Sequence, residues 1–186
     1  MFHVAPFSTD DLRVGNLAEA LALRNGTDPV TAGLIKKAAE LHDVGKFKIP
    51  ESILRKPDKL SADEFEIVKT HTFLGASMLK EMRGDLGVMA RNICNWHHER
   101  YDKRGYWLES LDDLPPYIPM VTICDVYIAV TSPNRPYKAA WSHNQALSYI
   151  ESQAGKQFCP KLAKIFLALM ADNPTLRCND GGIVQS

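Results

Sequence analysis

Tyr117 to Thr131 reads as a helix whose apolar stripe is broken by an ionisable group: Ile118, Val121, Asp125 and Ile128 share one face. Burying an ionised carboxylate without a partner costs several kcal/mol, so a chain that turns Asp125 inward must also supply compensation. His71 raises the same question on another helix, where its expected inward companions are Ile67, Val68, Leu74, Gly75 and Met78. A single buried histidine is ordinarily a hydrogen-bonded core residue. Here four of the six histidines, His42, His71, His97 and His98, fall with Asp43 and Asp125 on inward positions of separate helices. Cations shared among them would compensate the whole set; a polar core network without metal is the alternative.

His42-Asp43 and His97-His98 are adjacent pairs, and neighbouring helical side chains diverge by about 100°. That is awkward for one ion. It suits two ions roughly 3.5–4 Å apart, because each member of a pair can address a different metal. Asp43 is expected to bridge, with one oxygen on each ion. Imidazole and carboxylate donors disfavour calcium and suit iron, manganese, nickel or zinc. Two divalent transition-metal ions are therefore expected, with iron or manganese favoured.

The rest of the chain supplies a helical scaffold. Val14, Leu17 and Leu21 form a stripe that stops at Asn25-Gly26, and Pro29 restarts the chain at a first helical position. The second helix carries Leu34, Ile35, Ala38, Leu41 and His42 and ends near Gly45. A connector over 46–60 contains a short helical turn around Ser52, and Ser61 with Glu64 makes a capping box for a helix reaching Gly84. Asp85 can cap the next helix, which runs to the paired histidines. After a loop over 100–116 and the Asp125 helix, Ser142 and Gln145 cap a further helix, and Pro160 begins the last one. Strand alternation is nowhere convincing. The expected fold is all-α, a single helical bundle of about seven helices, with an N-terminal segment 1–9, a domain 10–172 and a tail 173–186.

Composition narrows the partners. The formal net charge is zero, so no global field favours duplex nucleic acid, and an anionic ligand needs a local cluster. No apolar run reaches the roughly 18 residues of a membrane span. Cys94, Cys124, Cys159 and Cys178 are widely spaced, which suits a reducing cytoplasm, and Met1–Asp10 lacks the pattern of a secretion signal. Cys94 and Cys124 read as buried small hydrophobes, His143 as a surface residue, and Met78, Met82 and Met89 as helix packing.

His42-Asp43-Val44-Gly45-Lys46, Lys69-Thr70-His71-Thr72, His97-His98-Glu99, Gly105-Tyr106 and Asp125-Val126-Tyr127 follow one another in an order that resembles HD-GYP domains. These are a branch of the HD metal-dependent phosphohydrolases. Arg135-Pro136-Tyr137-Lys138 and Trp141-Ser142-His143 continue the likeness, which covers roughly residues 10–170. The resemblance implies an all-helical metalloenzyme that hydrolyses the bacterial second messenger cyclic di-GMP to pGpG or GMP. It implies metal ligation by His42, Asp43, His71, His97, His98 and Asp125, and a catalytic part for Asp43 and Lys46. Lys46, Tyr106, Arg135 and Lys138 would contact substrate, and the Gly105-Tyr106 loop would face a second copy or a signalling partner. Lys46 also has a plain reading as a solvated lysine after a helix end, and Trp107 as loop packing.

Several positions depart from the family pattern. Asp10 stands where a first-helix histidine is usual, as an oxygen donor to a metal or as a helix cap. Pro6 falls near the place of a glutamate that helps bind a third metal in some relatives, so a third ion is not expected. Lys103 replaces a usual glycine, Trp107 the proline of Gly-Tyr-Pro, and Ile128 an often acidic residue, while Pro133-Asn134 contains one extra residue. Two further readings stay open on these grounds. One is a degenerate module that binds cyclic di-GMP or a protein without turnover; the other is an HD phosphohydrolase of another nucleotide.

Overall fold

The computed structural model describes residues 8–109, 113–133 and 139–177. Its α-helices are α1 (Thr9–Arg24), α2 (Pro29–Ala39), α3 (Glu51–Leu54), α4 (Ala62–Lys69), α5 (His71–Met78), α6 (Gly84–Trp96), α7 (Tyr117–Thr131), α8 (His143–Ser152) and α9 (Pro160–Asp172). Short 3-10 helices span Val44–Lys48 and Pro174–Leu176. No sheet forms among the described residues, so the all-α expectation holds.

Local chemistry fixes most helix starts. Ser8 with Asp11, Ser61 with Glu64 and Ser142 with Gln145 form reciprocal capping boxes, and each satisfies two otherwise orphaned N–H groups. Asp28 caps α2, with Pro29 at its first position. The start of α6 differs from expectation: its cap is Arg83, and Asp85 lies inside the first turn.

α7 is the centre of the bundle. Residues Ile118 to Cys124 are all buried, as are Tyr127 and Ile128, the signature of a helix enclosed on every side rather than on one stripe. α1 packs on α2 and α7, and α6 lies against α2 and α5. Val14, Leu17, Leu21, Ile35, Ile93 and Phe166 fill the core between them.

The structure corrects the sequence reading in three further places. α2 stops at Ala39, so His42 and Asp43 lie in a turn leading into the 3-10 helix rather than on a helix. The expected long helix after Ser61 breaks at Thr70. The side chains of Thr70, His71 and Thr72 engage the carbonyls of Ile67, Val68 and Lys69, three residues back, and so compete with the backbone ladder. The break also redirects the faces: Ile67 and Met78, expected inside, are exposed. Lastly, His143 is buried, its Nδ1 lying 2.8 Å from the Tyr127 hydroxyl.

Candidate metal centre

Four separate segments deliver the inward polar groups to one point. The turn after α2 carries His42 and Asp43, α5 opens with His71, the end of α6 carries His97 and His98, and α7 carries Asp125. Asp43 lies between them. Its Oδ1 is 3.3 Å from His71 Nε2 and 3.7 Å from His97 Nε2, while its Oδ2 is 3.3 Å from His42 Nε2. His42 Nε2 also lies 3.5 Å from Asp125 Oδ1, and the Nε2 atoms of His71 and His97 are 3.4 Å apart. Ligand atoms of Asp43, His71, His97 and His98 fall within 4.8 Å of one another, and so do those of His42, His97 and Asp125.

Close approach of backbones sets this geometry. A Cβ on Gly45 would stand 1.8 Å from the His71 carbonyl oxygen, so only glycine lets the 3-10 helix press against α5 and bring Asp43 to His71. The imidazoles are then aimed by their outer nitrogens. His42, His71 and His97 each place Nδ1 on a backbone carbonyl, of Ala39 at 2.7 Å, Val68 at 2.6 Å and Ile93 at 2.8 Å. A ring anchored through Nδ1 turns Nε2 inward, where it offers a lone pair once deprotonated, the usual arrangement of a ligating histidine. Asp43 Oδ1 is buried and accepts no hydrogen bond. An orphaned carboxylate oxygen beside imidazole lone pairs fits a divalent cation and little else. These clustered groups form a divalent-metal site.

The electrostatics follow from burial against charge. Burial opposes ionisation of Asp43, yet Lys46 and His42 hold its carboxyl well below the usual range. Asp125 is likewise lowered against burial, chiefly by its hydrogen bond to His42. Burial would discharge His42, but Asp43 and Asp125 raise it well above an ordinary histidine. His97 goes the other way, lowered by burial and by His98. Burial takes His98 down to about 4. Lys46 donates from Nζ to Asp43 Oδ2, and that carboxylate raises it despite burial.

The first helix contributes a residue that sequence reasoning missed. Asp10 accepts from the Ser132 hydroxyl at 2.6 Å and from Arg13 at 3.4 Å, and it is not among the clustered ligand groups of the described residues. The carboxylate that approaches is Asp11, whose ligand atom lies within 4.8 Å of those of His42 and Asp43. Asp11 is also the capping-box acid of α1, and its spacing from Ser8 was the signal that could have marked it.

A second missed residue is Glu99, wholly buried just after the paired histidines. Its Oε1 accepts the Trp107 N–H at 2.8 Å and its Oε2 the Glu109 N–H at 2.9 Å. A Cβ on Gly105 would stand 2.5 Å from Glu99 Oε2, so the loop can close only with glycine there. Closure lays the Tyr106 ring 4.4 Å from that of His98, tilted by 38°. Trp107 donates from its indole to Thr72 at 3.2 Å, and Lys69 lies over both aromatic rings. Arg135 and Lys138 lie outside the described residues. Cys94 and Cys124 are fully buried, as expected; Cys94 donates to the Leu41 carbonyl. Among the described residues no helix is long and apolar enough to cross a membrane.

Comparison with known proteins gives the family. Residues 3–162 match the family model for the HD domain. The chain is 38% identical over 157 residues to the 3'3'-cGAMP-specific phosphodiesterase 2 of Vibrio cholerae, covering 83% of this chain and 30% of that protein. It is 35% identical over 156 residues to the cyclic di-GMP phosphodiesterase response regulator RpfG of Xanthomonas campestris, covering 83% of this chain and 41% of that one. The chain thus spans less than half the length of either relative. In fold it is similar to Bd1817, an HDG"Y"P protein of Bdellovibrio bacteriovorus, with a TM-score of 0.70 at 19% identity over 89% of this chain and 53% of the other. These matches place the chain in the HD domain family, as an HD-GYP-type phosphohydrolase domain.

Proposed function

We propose that this domain is a metal-dependent phosphodiesterase that opens cyclic di-GMP, giving pGpG or GMP. We take the centre to hold two divalent transition-metal ions, iron or manganese favoured over nickel or zinc, on His42, Asp43, His71, His97, His98 and Asp125. The orphaned Asp43 oxygen among imidazole lone pairs carries this reading. Ions bound there lower the pKa of water and neutralise charge on the phosphoryl oxygens.

The chain's own groups do the rest. Asp43 turns its two oxygens toward different histidines, Oδ1 to His71 and His97 and Oδ2 to His42, which suits a bridging carboxylate. Lys46 stays charged because Asp43 raises its pKa, so it offers a fixed cation for a phosphate oxygen. His98, lowered to about 4, is neutral at physiological pH and free to ligate. The Tyr106 ring lies against His98.

Incubation of metal-loaded protein with cyclic di-GMP, followed by chromatography of the products, tests the reading. Release of pGpG or GMP supports it. Intact nucleotide with metal confirmed by elemental analysis favours a binding module without turnover. Likeness to a protein named for 3'3'-cGAMP makes cyclic GMP-AMP the second substrate to run in parallel. His71→Ala should lower bound metal without loss of helicity.

A further inference from the structure

A cavity of about 200 Å³ opens beside the metal centre, between the Gly105-Tyr106 loop and α7, with His97 and His98 along one edge. Tyr106 and Val126 give it flat and aliphatic walls, while Arg100, Arg104 and Gln157 give it polar ones. It is smaller than the 300–1,000 Å³ typical of sites that enclose a whole drug-sized ligand. A single base fits that scale; a cyclic dinucleotide does not.

The polar groups are not equivalent. Arg100 is spent on Asp102, donating from Nε at 2.9 Å and from Nη2 at 2.8 Å. Gln157 accepts the Tyr149 hydroxyl at its Oε1, which leaves its amide nitrogen as the donor. Arg104 touches Asp102 only through its backbone N–H, and its guanidinium has no ion pair among the described residues. The lining is thus rich in donors next to an aromatic face. A donor-only fork selects an edge made of acceptors. Guanine offers O6 and N7 side by side; adenine offers N7 next to an amino donor, which a guanidinium cannot accept.

We propose that this cavity is the subsite for one purine of the substrate and that Arg104 makes it select guanine over adenine. The inference rests on the reading of the domain as a cyclic-dinucleotide enzyme and sharpens it. One guanine suffices, so cyclic di-GMP and cyclic GMP-AMP are both accepted and cyclic di-AMP is disfavoured. The base packs against the Tyr106 and Val126 walls of the cavity, while Arg104 bonds O6 and N7.

Calorimetric titration of metal-loaded protein with the three cyclic dinucleotides is the test, on wild type, Arg104→Ala and Arg104→Lys. Wild type should bind cyclic di-GMP and cyclic GMP-AMP roughly tenfold or more tighter than cyclic di-AMP, the scale of one good bidentate base contact. Both variants should lose that preference, the lysine included, because it keeps the charge and lacks the fork. Thermal unfolding and metal content should match wild type. Equal weakening of all three ligands would mean a phosphate contact and overturn the proposal. So would unchanged discrimination, or cyclic GMP-AMP binding as weakly as cyclic di-AMP.

Bis(p-nitrophenyl) phosphate, a diester without a base, separates the two claims. Wild type that cleaves it yet treats guanine and adenine alike sinks the subsite and keeps the phosphodiesterase. Wild type that discriminates the bases yet cleaves no diester sinks the phosphodiesterase and keeps the subsite.

Discussion

Two carboxylates close in sequence to the clustered histidines are compensated in opposite ways. Glu99 is wholly buried, and both oxygens accept backbone N–H groups from the loop that carries Tyr106. Burial raises its pKa above the usual carboxyl value, while those N–H bonds pull it back. Asp43 is held charged by Lys46 and His42, and one of its oxygens has no donor at all. Burial is common to both and marks neither as functional. The leftover lone pair does: Glu99 has been used up by architecture, and Asp43 has capacity to spare for a cation.

The largest expected effect concerns that capacity. A ligand that binds only the native state stabilises it by about 4 kcal/mol at a thousandfold over its dissociation constant. Wild type should therefore melt well above its chelator-treated form, and Asp43→Asn should lose most of the difference together with the bound metal. Glu99→Ala should behave in reverse. Removing the acceptor of two partly buried loop N–H groups costs about 1–3 kcal/mol for each, so melting falls with and without metal while the gap between the two persists. An Asp43→Asn protein with an undiminished metal gap would erase the distinction between the two carboxylates. Loss of the gap in Glu99→Ala, with the chain still folded, would do so from the other side.

The same contrast shows what was legible before the structure. The helices were readable because their punctuation is local: Ser61-Glu64, Ser142-Gln145, Pro29 and Pro160 act within one turn. His71 and Asp125 were readable because an ionisable residue on an apolar stripe demands a reason, and His42-Asp43 and His97-His98 because they are adjacent pairs. Other features were not, and three of them show why. The break at Thr70 depends on side chains returning to carbonyls against a helical pattern that favours continuation. The anchoring by Glu99 depends on a loop that folds back across eight to ten residues to reach it. The choice of Asp11 over Asp10 turns on which of two adjacent carboxylates faces the cluster. The family's spacing pointed to the other one.

A smaller effect comes from the histidines around Asp43 in the metal-free protein. His97 is lowered well below its ordinary value, and His98 to about 4. As pH falls below the unfolded value near 6.5, the unfolded chain takes up protons that these native rings refuse, so their contribution is lost between about 6.5 and about 4. His42, raised by Asp43 and Asp125, runs against this, stabilising at low pH and losing its contribution as pH rises past its native value. Urea unfolding of chelated protein at pH 7 and pH 4.5 isolates the His98 part. His98→Ala should lose less stability over that interval than wild type, by on the order of 1 kcal/mol. An equal loss in both would show that His98 is not withheld from protons by its surroundings.

The smallest effect separates two reasons for glycine in the loop that Glu99 holds. Gly105 is required by space, since any Cβ there meets Glu99. Lys103 occupies a left-handed backbone conformation, φ 59°, where an L side chain costs about 1–2 kcal/mol. Glycine at that position removes the strain, offset in part by the greater freedom it gives the unfolded chain, about 0.5–1 kcal/mol. Lys103→Gly should therefore raise stability by roughly 0.5–1 kcal/mol in urea unfolding, with metal content unchanged. Gly105→Ala should lower stability by more than that, because the Glu99 backbone as well as its carboxylate blocks the new methyl. If Lys103→Gly destabilised the chain instead, the loop would owe its shape to the lysine side chain rather than to the N–H groups gathered by Glu99. The anchoring half of the comparison would then fall.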